Sequence, residues 1–380
     1  MKAVLIAPIY PSWCHKINMS FVTGSRRRVL HFPDWRQGNP YQPMLAAGLA
    51  ESGYDIRFAD YAGAAFPLFR NVRRHKAEAL HIHWIADIQG ANEPNFFKHL
   101  LKQLVFRIDV SLVRRLLSGR VIWTVHNLTS HENRYPQADL AARRFLARRA
   151  GQLVTHCAAA EESVIATYRV PAERVTVIPF GSFIGIYPNE ITRGESRARM
   201  GIRPEQFVFL CLGSLRLYKG IDELIDTFGR LADPRKRLIV AGPAADETYL
   251  ARLRKAVPAA GVRLEPSFVP DEELQVFFNA ADAVVLPFRS VLTSASLLLA
   301  MSFGRMVVAP RLGCIPDYAG PDDNILYDPA DPQGLQTAME KAMQRDPEAC
   351  GRHNLERARQ FEWSRMATET AKIYAKLFSD

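Results

Sequence analysis

The chain reads as an α/β protein built of two Rossmann-like halves, and three observations carry that reading. Apolar runs of strand length alternate with helical patterns along nearly the whole sequence, as parallel βαβ units require. At 380 residues the chain is long for a single core; it suits two domains of about 150–200 residues. A Gly- and Pro-rich stretch, PFGSFIGIYPNEITRG at 179–194, separates two such series. The expected division is a first domain over 1–182, a linker over 183–204, a second domain over 205–360 and a closing helix over 361–380.

In the first half the reading starts with a strand at Ala3 to Ala7. A long loop follows, carrying Trp13, His15, Arg26, Arg27, Arg28, Asp34 and Trp35. Loops of that length are often functional. A helix is predicted from Tyr41 to Ser52, with Asn39 as a cap and Gly53 as its stop, then a strand from Asp55 to Ala59. LHIHW, Leu80 to Trp84, is a strand with His81 and His83 on one face; two histidines at that spacing suit packing or substrate contact better than a metal, for which no third ligand is at hand. NFFKHLLKQLVFR, from Asn95 to Arg107, is a basic amphipathic helix. Phe96, Phe97, Lys98, Lys102 and Arg107 could lie on an anionic membrane, or the apolar side could face the core, the more frequent case.

Val121 to Val125 is a strand that runs into HNLTSHENRYP. Its histidines and Glu132 sit where α/β sheets place ligands, beyond the C-terminal end of a strand. Glu132 with His126 or His131 could form a general-base pair. Ala141 to Ala150 and Glu161 to Tyr168 are predicted helices, and Leu153 to Thr155 and Val175 to Pro179 strands.

The second half repeats the alternation. Strand Phe207 to Leu212 leads into GSLRLYKG, where Gly213 permits close approach and Arg216 and Lys219 stand beside a helix over Ile221 to Phe228. Two cations at a helix N-terminus suit a diphosphate. Strand Leu238 to Ala241, helix Thr248 to Val257 and strand Val262 to Glu265 follow. Strand Ala283 to Leu286 then runs out into Phe288 and Arg289. Thr293, Ser294 and Ser296 open a short apolar helix that Gly304 closes, ahead of strand Met306 to Ala309. A Ser/Thr-rich helix start after a parallel strand is a second phosphate candidate. An amphipathic helix from Trp363 to Phe378 ends the chain.

Composition narrows the classes. Hydrophobic residues make up 48% and charged residues 23%, as in globular proteins rather than disordered ones. No apolar run reaches the ~20 residues of a membrane span, and the opening MKAVLIAPIYP lacks the length of a signal peptide's apolar core. The five scattered cysteines (Cys14, Cys157, Cys211, Cys314, Cys350) show no CxxC spacing. The expectation is therefore a cytosolic protein with no disulfide framework and no zinc site. Net charge is +10, but residues 1–180 hold 24 Lys/Arg against 13 Asp/Glu and the remainder 25 against 26. The basic half suits an anionic partner. Nucleic acid ranks low, since no recognised nucleic-acid-binding signature accompanies the charge.

The second-half motifs LGSLRLYKGIDELI, LIVAG, VPDEELQVFFNAADAVVLPF, SASLLLAMSFGRMVVAP and FEWSRMA together resemble the nucleotide-sugar domain of GT-B glycosyltransferases. NPYQPMLAAGLAESGYDI, LHIHW and WTVHNLTSHE are similar to bacterial exopolysaccharide-type members. The resemblance implies a GT-B fold, two Rossmann-like domains facing across a cleft, with the last helix crossing back to the first domain. It implies transfer of a hexose from a nucleotide-diphosphate sugar to a polyprenyl-diphosphate-linked oligosaccharide at the inner face of the membrane, without a metal or other cofactor. GDP-mannose is slightly favoured as donor, with UDP-glucuronate or UDP-glucose next.

By the same resemblance Arg216 and Lys219 would neutralise the donor diphosphate, Thr293, Ser294 and Ser296 would bind its phosphates, Phe268 and Val269 would flank its base, and Gly213 and Arg289 complete the expected donor site. Asn39, Tyr41 and His83 are expected at the acceptor. Many retaining members carry two glutamates with seven residues between them; here those places are Val291 and Leu299. Their absence supports inversion, with Glu132 as base, His131 orienting it, Asp34 in reserve and His126 on the sugar. The alternative is a non-catalytic GT-B-like protein that binds a sugar nucleotide or an anionic glycan.

Overall fold

A computed structural model describes residues 26–37, 39–59, 65–130, 134–257, 261–320 and 324–379. Two six-stranded, all-parallel sheets account for it. The first comprises β1 (Arg27–Phe32), β2 (Tyr54–Phe58), β3 (Ala79–Ile82), β4 (Val121–Thr124), β5 (Gln152–Thr155) and β6 (Val175–Val177), in the order β2-β1-β3-β4-β5-β6. Between them run α1 (Tyr41–Glu51), α2 (Pro67–Arg74), α3 (Phe96–Leu116), α4 (Pro136–Arg149) and α5 (Ala158–Tyr168). The second sheet comprises β7 (Phe207–Leu212), β8 (Lys236–Ala241), β9 (Val262–Glu265), β10 (Ala283–Val285), β11 (Met306–Pro310) and β12 (Ile325–Tyr327), in the order β12-β11-β10-β7-β8-β9. Its helices are α6 (Arg193–Met200), α7 (Ile221–Arg230), α8 (Glu247–Ala256), α9 (Leu274–Ala280), α10 (Ala295–Ser302), α11 (Ile315–Ala319), α12 (Gly334–Ala342) and α13 (Pro347–Ala358); α14 (Trp363–Ser379) ends the chain. This is the two-domain α/β architecture of the GT-B fold.

Several elements differ from the sequence reading. The strand expected at 3–7 falls outside the described residues, and β1 lies in the segment read as loop. Its apolar run is interrupted by His31, which is fully buried, and preceded by Arg28, whose guanidinium reaches Asp55 at 3.2 Å. Helix α3 runs nine residues beyond Arg107, because apolar residues continue at helical spacing to Leu116. The expected linker contains α6, which a reciprocal cap fixes: Thr192 accepts from the Glu195 amide while Glu195 accepts from that of Thr192.

The expectation of no disulfide is also corrected. Cys157, at the start of α5, is bonded to Cys314, at the start of α11, with their Cα atoms 5.5 Å apart. They are 157 residues apart in sequence and lie in different domains, so only the fold brings them together.

Helix α14 lies on α1. Gly48 makes the close approach possible: a Cβ there would sit 2.5 Å from that of Ala367. Trp363 Nε1 donates to the Ser182 carbonyl (2.7 Å), and the Tyr54 hydroxyl donates to that of Ala371 (3.3 Å). The helix thereby carries Tyr374 into the core of the first sheet, where it is fully buried.

Candidate active site

Parallel strands deliver their following loops to one edge of a sheet, and in these sheets the loops meet around a cavity of about 820 Å³. Asp34 and Trp35 after β1, His83 and Trp84 after β3, and His126, Asn127 and Ser130 after β4 line it from the first domain. Arg216 and Tyr218, after β7, line it from the second. The fold thus brings together four residues singled out from sequence: Asp34, His83, His126 and Arg216.

Aromatic rings form one wall. Trp35 stacks on Trp84 at 4.5 Å and Trp84 on His126 at 4.5 Å, a three-ring ladder. The sequence reading gave no role to either tryptophan; WTVH and LHIHW drew attention to histidines instead. Flat apolar faces with polar edges suit the C–H faces and hydroxyls of a sugar.

Two buried braces hold the loops. Gln42, on α1, donates to the Pro33 carbonyl (2.7 Å) and accepts from the Trp35 amide (2.8 Å). Asp139, on α4, accepts from the Ser130 amide (2.9 Å), the Ser130 hydroxyl (2.9 Å) and Arg143 Nε (3.0 Å). Arg143 in turn donates to the Asn127 carbonyl at 2.9 Å. Asp139 and Arg143 are i,i+4 neighbours on α4, but that the pair reaches back to Ser130 and Asn127, like the reach of Gln42 to Pro33 and Trp35, depends on how the helix docks and is not visible in sequence.

The candidate bases fare differently. Glu132 and His131 lie outside the described residues. Asp34 is engaged by Arg36 through Nε (2.9 Å) and Nη2 (2.8 Å). Burial pushes the Asp34 carboxyl up, but its hydrogen bonds from Arg36 outweigh that and hold it below its ordinary value. Tyr41, expected at the acceptor, is buried instead, its ring edge-on to His83, His126 and Trp363. It does not line the cavity, because α1 packs inward to receive α14. Asn39 accepts from the Tyr41 amide at 3.0 Å.

On the second domain, Gly213 adopts φ +126°, and a Cβ there would lie 2.8 Å from Lys219 Nζ. Glycine therefore lets the ammonium fold back against the end of β7. Burial pushes the Lys219 amine down, with the nearby Arg216 charge acting in the same direction, as in a site that awaits an anion. Arg289 faces another way: it pairs with the buried Asp222 (3.0 Å) and donates to the Leu217 carbonyl (3.0 Å), bracing the 217–222 segment. Ser294 caps α10, accepting from the Leu297 amide at 3.2 Å. Thr293, Ser296 and Val269 are half-buried and Phe268 is exposed; none is among the residues lining the cavity. The third ligand missing from the sequence reading of His81 and His83 is supplied by His31: nitrogens of the three lie within 4.8 Å of one another.

Comparison with known proteins agrees with this fold. Residues 44–181 match the Glycosyltransferase Family 4 model, and residues 206–345 match Glycosyl transferases group 1. A GDP-mannose:glycolipid 4-beta-D-mannosyltransferase of Xanthomonas campestris pv. campestris is 28% identical over 76% of this chain and 76% of its own length. A D-inositol 3-phosphate glycosyltransferase of Corynebacterium aurimucosum is 28% identical over 72% and 73%. Among solved structures, sucrose-phosphate synthase from Thermosynechococcus elongatus superposes with a TM-score of 0.72, at 15% identity, covering 93% of this chain and 99% of that one. Anabaena Alr3699/HepE in complex with UDP and glucose superposes at 0.71, with 16% identity and 92% and 99% coverage. The chain is a member of the GT-B glycosyltransferases, a nucleotide-sugar-dependent enzyme with a family 4 domain ahead of a group 1 domain.

Proposed function

We propose that the enzyme moves a hexose from a nucleotide-diphosphate sugar to a hydroxyl of a polyprenyl-diphosphate-linked oligosaccharide, with inversion, during exopolysaccharide synthesis at the inner face of the membrane. The observation that carries the transfer is the cavity that sets His83, His126 and the tryptophan ladder of one domain opposite Arg216 of the other. A departing nucleoside diphosphate gains charge in the transition state; Arg216, which lines the cavity, and Lys219 behind it are assigned to stabilise that charge. The attacking hydroxyl needs a base from the first domain. Glu132 keeps that role, two residues beyond the cavity-lining Ser130, because Asp34 is already paired with Arg36. GDP-mannose leads as donor, in keeping with the Xanthomonas relative, ahead of UDP-glucuronate and UDP-glucose.

The surface of α3 supports the lipid-linked acceptor. Its buried face holds Phe106, Val110 and Val113 together with His99, Gln103 and Asp109. Its outer face also exposes apolar side chains, Phe96, Phe97, Leu100, Leu101, Leu104, Ile108, Leu112 and Leu116, more than a helix facing water usually carries. Arg107, Arg114, Arg115 and Arg149 surround a cavity beside this stripe. Apolar side chains flanked by cations suit an anionic bilayer surface. No described helix is long and apolar enough to cross a membrane.

The test is product formation from each of the three donors, with a polyprenyl-diphosphate oligosaccharide as acceptor and the anomeric configuration of the new linkage read by NMR. Transfer from at least one donor with inversion is expected. No transfer from any of them overturns the reading, and a retained configuration overturns its stereochemistry. Flotation on vesicles with and without anionic lipid tests α3: Leu101→Asp with Leu104→Asp should abolish it, and indifference to both changes removes the membrane role.

A further inference from the structure

A line of hydrogen-bonding side chains runs from the core of the first sheet to the cavity. Thr124 Oγ1 lies 2.7 Å from His81 Nε2, and His81 Nδ1 lies 2.6 Å from the Tyr374 hydroxyl. That hydroxyl is 3.0 Å from His31 Nε2, and His31 Nδ1 is 3.3 Å from His83 Nε2. The last and longest link joins His83 Nδ1 to His126 Nε2 at 3.5 Å. All but His126 are buried. His126 lines the cavity, and its Nδ1 has no hydrogen bond among the described residues and is not one of the buried unpartnered atoms. The strand register makes the line possible: β1 and β3 pair His31 directly beside His81.

A neutral imidazole donates at one nitrogen and accepts at the other, so fixing any link fixes them all. Only two senses exist. In the outward sense the Thr124 hydroxyl donates to His81 Nε2, His81 Nδ1–H to Tyr374, and the Tyr374 hydroxyl to His31 Nε2. His31 Nδ1–H then donates to His83 Nε2, and His83 Nδ1–H to His126 Nε2. Every buried hydrogen finds an acceptor. In the inward sense Thr124 accepts from His81, and of the two neighbouring buried hydroxyls, Thr124 and Tyr41, one keeps a proton with no acceptor among the described residues; in the outward sense the Tyr41 hydroxyl can donate to Thr124 Oγ1. A buried donor left unmet is the costlier state.

We infer that Thr124, His81, Tyr374, His31 and His83 act as positioning residues that set the tautomer of His126, so that it presents an uncharged Nδ1–H donor to an oxygen lone pair of the bound sugar substrate. This rests on the cavity being the transfer site.

The surroundings keep the line neutral. Burial pushes these imidazoles down, His31 to about 3, and the neighbouring histidines, including His156 at the end of β5, act in the same direction on His81, His83 and His126. The other titratable groups against it are phenols, Tyr41 on α1 and Tyr54 on β2, and no described carboxylate touches it. With Nε2 occupied by His83 and Nδ1 protonated, His126 has no lone pair for a substrate proton, so the base must be another group. A metal held by His31, His81 and His83 would consume the lone pairs that the line uses.

The test uses the full chain labelled with ¹⁵N-histidine, in which two-bond ¹H–¹⁵N correlations distinguish the tautomers. His126 is expected in the Nδ1–H form from pH 6 to 8. Tyr374→Phe removes the central hydroxyl, so both tautomers of His126 should appear. The catalytic efficiency kcat/KM should fall by roughly 2- to 12-fold, the worth of one neutral hydrogen bond. In a His126→Asn background, where an amide donates from about the same place without help from the line, Tyr374→Phe should cost nothing further. A wild-type Nε2–H or cationic His126, one zinc per chain in the purified protein, or an equal Tyr374→Phe cost in both backgrounds would each overturn the proposal. The tautomer measurement needs no turnover, so failure of the transfer reading shows separately, as absence of product.

Discussion

Replacing Asp139 by alanine leaves Arg143 charged, buried and without its carboxylate, and it strips the acceptor from the Ser130 amide and hydroxyl. The side chains of the pair are 0% and 7% exposed, so water cannot take over. Breaking a buried pair from one side costs about 3–5 kcal/mol. At about 2–4 °C per kcal/mol for a domain of 150–250 residues, the first domain's thermal midpoint should fall by roughly 6–20 °C. The loss should be largely relieved in Asp139→Ala/Arg143→Met, which removes the stranded charge and refills the space with apolar atoms. Calorimetry reads the stability, and kcat/KM with the donor reads whether the 126–130 loop keeps its shape. Activity should stay impaired in the double variant, because the Asn127 and Ser130 contacts do not return. A midpoint shift below about 3 °C in the single variant, or a double variant less stable than the single, would refute the argument.

Three further outcomes follow from the same structure. His31 and His156 have folded pKa values depressed to about 3 and about 4 by burial, below their ordinary 6.5. The unfolded chain therefore binds more protons between those values and 6.5, so stability is complete above pH 6.5 and declines on acidification. The slope is up to about 1.4 kcal/mol per pH unit for each histidine, and a thermal midpoint unchanged between pH 7 and pH 5 would contradict it. Gly48→Ala places a Cβ 2.5 Å from that of Ala367 and should cost about 1–3 kcal/mol in denaturant unfolding, relieved by Ala367→Gly. Lys219→Ala should lower kcat on the nucleotide sugar by about 10²–10³-fold, and Arg216→Ala similarly, with donor turnover as the assay; a change in KM alone would place the cations on the ground state only.

Legibility differed between the halves for physical reasons. In the second domain, regular βα alternation let β7, β8, β10 and β11 stand out as apolar runs. β1 escaped notice because its interior carries His31, a residue whose burial makes sense only once Tyr374 arrives from the other end of the chain. The same long-range dependence hid the Cys157–Cys314 bond and the role of Gly48. Trp35 and Trp84 lie far apart in sequence, and only the β1–β3 pairing stacks them. Arg216 was legible as a cation beyond a strand end, whereas Arg289 looked equivalent and turned out to be spent on Asp222.

The covalent link between Cys157 and Cys314 sits where the backbone passes from the first domain to the second and near where α14 returns. With the Phe180 amide donating to the Tyr318 hydroxyl at 2.7 Å and that hydroxyl donating to the His156 carbonyl at 2.8 Å, the two sheets are fastened along a single seam. Bodies joined that way can swing but cannot slide. The sulfur bridge and the Tyr318 hydroxyl thus act as a rivet that fixes which edge each sheet turns toward the cavity.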